Sequence, residues 1–162
     1  MEIIFVIARW LHLLAVVTWI GGMFFISFVL GPYLRKKEIP VMQRVEFVGE
    51  LGKRFSYLGW ISITVIIITG ILNTLNRVTS LEMLFGTVYG YVLIIKHLFV
   101  FGMVVLSALH DFVFGPKLVS LAKLETSQKP SLEFLKLQKR VILVGVLNVI
   151  FGMLVLLSVA IL

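Results

Sequence analysis

Residues 27–34 read SFVLGPYL and residues 111–118 read DFVFGPKL, so five of the eight positions are identical in one register. The two stretches lie 84 residues apart, and each closes a long apolar run and opens a basic one. Because the residue before a proline is disfavoured in the helical region, each Gly-Pro pair predicts the end of a helix. The repeated motif therefore divides the chain into two halves of similar design.

The composition is that of a membrane protein. The chain has 162 residues, of which 60% are hydrophobic and 14% are charged, and its mean hydropathy is +1.09. A soluble domain carries about 25% charged residues, and a helix that crosses the lipid core needs about 20 residues. The sequence predicts one all-α domain over 1–162, an integral membrane four-helix bundle with spans at 3–30, 56–75, 88–114 and 141–162. The first run is too long and unbroken for a cleaved signal peptide.

The internal repeat predicts how these spans are arranged. Each copy of the motif ends an odd-numbered span, and a loop, at 31–55 or 115–140, then leads to an even-numbered one. The bundle is therefore expected to consist of two tandem helical hairpins. Since each copy holds two spans, both copies enter the membrane in the same direction, which predicts a pseudo-twofold axis along the membrane normal.

The basic residues predict the orientation. Twelve of the fifteen Lys and Arg residues fall in the loops 31–55 and 115–140. Loops rich in Lys and Arg stay cytoplasmic, so we expect a multi-pass protein of the cytoplasmic (inner) membrane with both termini outside. Each loop is also predicted to carry a short amphipathic helix at the membrane surface. The net charge of +7 then indicates contact with the lipid bilayer rather than with nucleic acid.

Two histidines lie at one predicted depth. His12 is nine residues into the first span and His97 is nine residues into the third, so both lie about 13 to 14 Å below the outer surface. Two imidazoles at one level of two parallel helices could hold the iron of haem b from both sides. Arg9 and Lys96 are placed to pair with the propionates, and Trp10, Trp19 and Phe101 to line an apolar slot.

The repeat leaves a second arrangement open, because the residue equivalent to His12 is Lys96 and not His97. Neighbours on a helix point about 100° apart, so either Lys96 or His97 could face His12. His110 lies about 20 Å further along the third span, near the level of Met23, where a second His/Met metal site is a less favoured alternative. The favoured interpretation of His110 and the adjacent Asp111 is a hydrogen-bonded pair at the cytoplasmic edge. For His12 and His97, hydrogen bonding between helices is the alternative to ligation.

Three stretches resemble a known family: WLHLLAVVTWIGGMFF at 10–25, RFSYLGWISITVIIITGIL at 54–72 and YGYVLIIKHLFVFGMVVLSALHDFVFGP at 89–116. They are similar to the CopD-like membrane proteins and to their relatives, the HemJ-type protoporphyrinogen oxidases. The resemblance implies a compact four-helix protein. Its HemJ side implies b-type haem with a functional His in the first helix and Lys in the third, matching His12 and Lys96. Its CopD side implies copper resistance or uptake.

The leading functional expectation is a haem b protein with a cytochrome-like redox role at the outer side of the membrane. Its partner would be an unidentified redox protein or a quinone, and a homo-oligomer is compatible with it. The alternatives are transport of a copper ion and HemJ-like porphyrinogen oxidation. Cu(I) prefers several sulfur ligands, but the six methionines form no closely spaced pair. The sequence therefore favours haem over copper. The absence of cysteine excludes disulfides and thiolate metal sites.

Overall fold

The computed structural model describes residues 2–36, 39–78, 80–124 and 130–161. These residues form helices and short connections but no strand. The helices are α1 (Glu2–Phe24), α2 (Gly31–Lys36), α3 (Val41–Arg77), α4 (Leu81–Gly86), α5 (Val88–Ala108), α6 (Gly115–Leu124) and α7 (Leu132–Ile161). Two π-helical segments, Phe25–Leu30 and Leu109–Phe114, connect α1 to α2 and α5 to α6. The continuous helical stretches Glu2–Lys36, Val41–Arg77, Val88–Leu124 and Leu132–Ile161 are each long and apolar enough to cross a membrane. The predicted all-α four-helix membrane bundle is confirmed.

The two Gly-Pro pairs lie within helical stretches, so the prediction that each pair ends a helix is wrong. A π segment precedes each pair, at Phe25–Leu30 and at Leu109–Phe114. In a π turn the backbone hydrogen bonds run over five residues instead of four, which widens the helix. The wider turn accommodates the proline, which has no N–H for the next bond and whose ring crowds the preceding turn. The two π segments are separated by the same 84 residues as the sequence repeat.

A glycine follows each π segment. The Gly31 N–H donates to the carbonyl of Ile26, and the Gly115 N–H donates to the carbonyl of His110. A Cβ added to Gly31 would lie 3.2 Å from the Ile26 oxygen, and one added to Gly115 would lie 2.7 Å from the His110 oxygen. The close approach of this carbonyl explains why the motif carries glycine, and the requirement is stricter at Gly115.

The segments that follow the π segments contain more helix than the sequence predicted. α3 starts at Val41, directly after Pro40, and runs unbroken to Arg77, so the amphipathic segment is continuous with the span. α7 likewise starts at Leu132, two residues after Pro130. No proline occurs between these starts and the spans, and nothing therefore interrupts the backbone bonds. A small core of Leu118, Ala122, Phe134 and Leu137 packs α6 against α7 at this end.

The main core joins the long helices in the middle of the bundle. α1 packs chiefly against α3, and α5 packs chiefly against α7, as two hairpins would. Side chains from all four helices meet in one buried cluster of Ala15, Trp19, Ile20, Ile63, Ile66, Met103 and Val155. The pseudo-twofold relation of the hairpins stays a prediction. We call the end near residues 2–12, 73–78 and 80–97 the termini end. The end near residues 23–36, 39–56, 107–124 and 130–148 is the loop end.

Candidate functional site

His12 is anchored to α3 at the termini end. Its Nδ1 lies 2.8 Å from Oγ1 of Thr69, whose hydroxyl donates to the carbonyl of Val65 at 2.5 Å. With the hydroxyl proton of Thr69 assigned to that second bond, Oγ1 accepts the hydrogen bond from Nδ1–H of His12. The hydrogen-bond pattern therefore assigns the proton of His12 to Nδ1 and leaves the lone pair on Nε2.

His97 has the same protonation pattern with a different partner. Its Nδ1 lies 2.7 Å from the carbonyl oxygen of Leu93 on its own helix. A carbonyl only accepts, so Nδ1 donates and Nε2 again carries the lone pair. The exposed ring lines a shallow cavity with Thr74, Leu84, Leu93, Ile94 and Leu98.

Cationic side chains lie near His12 at the termini end. Lys96 and His97 both lie close enough to His12 to interact with it electrostatically, and Arg77 lies within the same range of Lys96. Lys96 is half-buried and forms no ion pair with a carboxylate among the residues that the structure describes. We call His12, Thr69, Arg77, Lys96 and His97 the termini-end cluster. Its charge suits an anionic group better than a free cation.

The other residues predicted for a haem site lie apart from one another. Arg9 is exposed. Trp19 is buried in the main core with 4% of its surface exposed, whereas Phe101 is on the outside of the bundle with 68% exposed. The structure therefore brings His12, Lys96 and His97 together but places Trp19 and Phe101 in different environments.

A second polar site lies at the loop end, around Asp111. Oδ2 of Asp111 accepts hydrogen bonds from Oγ of Ser56 at 2.5 Å and from Nε1 of Trp60 at 3.2 Å. Its other oxygen, Oδ1, lies 3.0 Å from Nδ1 of His110. A carboxylate accepts this proton, so His110 also carries its lone pair on Nε2. These bonds connect the second π segment to α3.

Asp111 borders a cavity of about 160 Å³. Residues of both π segments line it, with Ile26 and Ser27 from the first and His110 and Asp111 from the second. Among the described residues that line the cavity, none is Lys or Arg. We call this cavity the loop-end cavity. Its polar or sulfur-containing lining residues are Trp19, Met23, Ser27, Ser56, Trp60, Ser107, His110, Asp111 and Asn148.

Asn148 leaves an acceptor without a partner in the wall of this cavity. Its Nδ2 donates to Oγ of Ser107 at 2.7 Å, which connects α7 to α5. The residue is 5% exposed, and its buried Oδ1 has no hydrogen-bond partner in the part of the chain that the structure describes. A buried unpaired polar group costs about 1–3 kcal/mol, so a ligand that satisfied this oxygen would stabilise the bundle.

Met23 and His110, the residues of the less favoured His/Met alternative, both line the loop-end cavity. Sequence reasoning missed the roles of Ser56, Trp60 and Asn148. The available signal was Asp111, the only aspartate in the chain, inside an apolar run. Within the described ranges, no three His, Asp or Glu side chains lie close enough together to hold a metal ion between them.

A sequence model of the copper resistance protein D (CopD) family matches residues 49–162, which is more than half of the chain. The chain belongs to the CopD family. The matched region of this CopD-family chain contains Lys96, His97, His110 and Asp111, whereas His12 and Met23 precede it. The predicted CopD resemblance is confirmed, and the relation to HemJ-type oxidases stays a prediction.

Two relatives resemble parts of this CopD-family chain. An uncharacterized protein of Aquifex aeolicus is 42% identical over 65 residues, covering 40% of the chain and 43% of that protein. The copper transport protein CutJ of Bacillus subtilis is 32% identical over 106 residues, covering 65% of the chain and 18% of that protein. The chain thus spans less than half the length of either relative. No solved structure matches the chain.

Proposed function

We propose that this CopD-family chain handles copper ions within the membrane, as cargo held by side chains inside the bundle. Membership of the copper resistance protein D family and the similarity to a relative named as a copper transport protein support the proposal. The structural observation that carries the proposal is the hydrogen bonding of the three imidazole rings. His12, His97 and His110 each engage Nδ1 in a hydrogen bond and keep the Nε2 lone pair for a ligand.

This arrangement is the one that metal-binding histidines use. A ligating His normally donates its other ring N–H to a carboxylate, a backbone carbonyl or another fixed acceptor, which sets the orientation of the ring. Asp111, the Leu93 carbonyl and Thr69 fill that role for the three rings. Copper accepts imidazole nitrogen, and an ion that must move on needs sites that bind it weakly enough to release it.

Copper entry into liposomes tests the proposal. The full chain, reconstituted in liposomes that contain a copper-sensitive dye, is expected to accelerate copper entry over empty liposomes. Replacing His12, His97 and His110 together by Ala should return the rate to that of empty liposomes. Calcium entry, measured in the same preparation, is the control and should not increase. Equal copper entry with the triple variant and the unchanged chain would contradict the proposal.

A second candidate is the predicted haem b protein with a redox role, and the termini-end cluster favours it. Lys96 has no carboxylate partner among the described residues and lies near two histidines that keep Nε2 free, and haem brings two propionates. His12 and His97 would hold the iron, and Lys96 and Arg9 would pair with the propionates. An absorption spectrum of the purified chain should then show a Soret band that His12→Ala removes and His110→Ala preserves. A spectrum without a Soret band would reject this candidate.

We also propose that the loop end faces the cytoplasm and that both termini lie outside the inner membrane. The support is the concentration of twelve of the fifteen Lys and Arg residues in the stretches 31–55 and 115–140. A reporter that works only outside the cytoplasm should be active when it is fused to the C-terminus. Activity of a cytoplasmic reporter at that position would reverse the orientation.

A further inference from the structure

We propose that the loop-end cavity is a Cu(I) site in which Met23 and His110 are the ligands and Asp111 orients His110. The inference rests on the proposed function and gives the cargo a location and an oxidation state. It adds Asp111 and Asn148 to the residues that the function requires.

The charge of the cavity suits a monovalent cation. Asp111 is the only Asp, Glu, Lys or Arg among the described lining residues, so the cavity carries one negative charge. The absence of Lys and Arg from its lining is unexpected at this end, because the stretches 31–55 and 115–140 hold twelve cations. A cation in the cavity would therefore meet an attractive charge and no adjacent repulsive one.

The available donor atoms are soft or intermediate. Met23, with a thioether, and His110, with an imidazole whose Nδ1 is bonded to Asp111, both line the cavity. Thioether and imidazole donors select copper over hard cations such as magnesium and calcium, and sulfur favours the Cu(I) state. The Nδ1–H of His110 donates to Asp111 at 3.0 Å, so this ring has the carboxylate partner that fixes ligating histidines.

Two further features of the cavity wall indicate a ligand. Asn148 is part of the lining, and its Oδ1 is a buried acceptor with no donor among the described residues. In addition, both π segments border this one cavity. π turns are rare and frequently mark functional sites, because they change the direction of side chains within a helix.

The termini end is less suited to hold the ion. Lys96 lies within electrostatic range of His12, and it repels a metal cation near His12 and His97. Both ends offer free imidazole nitrogen, but only the loop-end cavity combines it with a thioether and a carboxylate among the described residues. Cu(I) is therefore expected to reside at the loop end.

Competition with a chromophoric Cu(I) chelator, on the full chain in detergent under reducing conditions, tests the site. The unchanged chain should bind one Cu(I). Loss of an outer partner of a metal ligand costs about 10–100-fold in affinity, so we expect Met23→Leu, which removes a ligand, to cost at least about 100-fold. Met153→Leu is the matched control, because Met153 lies 45% exposed on the bundle surface and not in the cavity.

Two further measurements separate ligation from an effect on folding. His110→Ala should weaken Cu(I) binding as Met23→Leu does, whereas the surface control Met153→Leu should not. X-ray absorption at the copper edge should show a sulfur neighbour that disappears in Met23→Leu.

The outcomes distinguish this site from the proposed function. Unchanged Cu(I) affinity in both Met23→Leu and His110→Ala would overturn the site while copper entry into liposomes still supported the function. A chain that binds no Cu(I) and still accelerates copper entry would also overturn the site alone. A chain that neither binds Cu(I) nor accelerates copper entry would overturn both.

Discussion

The two ends of the bundle present the same ligand group in opposite electrostatic surroundings. At the termini end, His12 keeps Nε2 free and lies near Lys96. At the loop end, His110 keeps Nε2 free and lies against Asp111. The comparison shows that free imidazoles do not by themselves identify a ligand, because the neighbouring charge decides between a cation and an anionic group.

Both deciding charges come from the same helical stretch. Lys96 is in α5 and Asp111 is in the π segment that follows it, so the two lie about 22 Å apart at the rise of an α-helix. The internal repeat pairs Lys96 with His12 and Asp111 with Ser27. The second half of the chain therefore supplies the two charges that distinguish the ends of the bundle.

The largest effect is expected from Asp111→Asn. Asparagine has nearly the same size but removes the negative charge and weakens the hold on His110, so the Cu(I) affinity should fall about 10–100-fold. Chelator competition measures the change. Glu82→Gln, which neutralises an exposed acid on α4, is the control and should have no effect. An Asp111→Asn chain with unchanged Cu(I) affinity would show that the charge at the loop end does not select the ligand.

A smaller effect is expected from alanine at the glycines that follow the π segments. In Gly115→Ala the new Cβ would lie 2.7 Å from the His110 oxygen, and relief of this clash should cost about 1–3 kcal/mol and displace His110. Gly31→Ala is the matched substitution in the other copy, where the distance is 3.2 Å and the cost should be lower. Unfolding in detergent and Cu(I) competition measure both variants. Greater destabilisation by Gly31→Ala would contradict the structural difference between the copies.

The smallest effect is expected from Lys96→Gln at the termini end. In a His110→Ala background, only His12 and His97 remain as imidazole ligands. Removal of the cation should strengthen residual Cu(I) binding about two- to fivefold, the size expected of a partly screened charge interaction. Arg9→Gln, on the exposed surface near the start of α1, is the control. Weaker Cu(I) binding in Lys96→Gln would mean that the lysine supports the site rather than repelling a cation.

The sequence predicted the four helices because length and hydropathy alone decide which segments cross a membrane. It failed at the Gly-Pro pairs, because the rule for proline assumes an α-helical register and the chain instead widens into π turns. The depth argument placed His12 and His97 at one level, because helical rise converts position into depth, and in the structure Lys96 and His97 both lie within electrostatic range of His12.

The loop-end site was harder to predict, because its contacts join residues that are distant in sequence. Ser56 and Trp60 reach Asp111 from another helix, and Asn148 reaches Ser107 from α7. Rotation of each helix about its axis determines these contacts, and a nearly uniform apolar sequence does not encode that rotation. A single aspartate in such a sequence indicates that a site exists but not which residues complete it.

The equivalence of Ser27 and Asp111 within the repeat has a consequence for symmetry. A homodimer of single hairpins would place identical residues on both sides of its axis, and a central cavity would receive two carboxylates or none. Two copies joined in one chain can differ at this position, with a hydroxyl in the first π segment and a carboxylate in the second. If the hairpins are related by the predicted twofold axis, their fusion in one chain allows a site to carry one carboxylate, whereas exact symmetry would give it two or none.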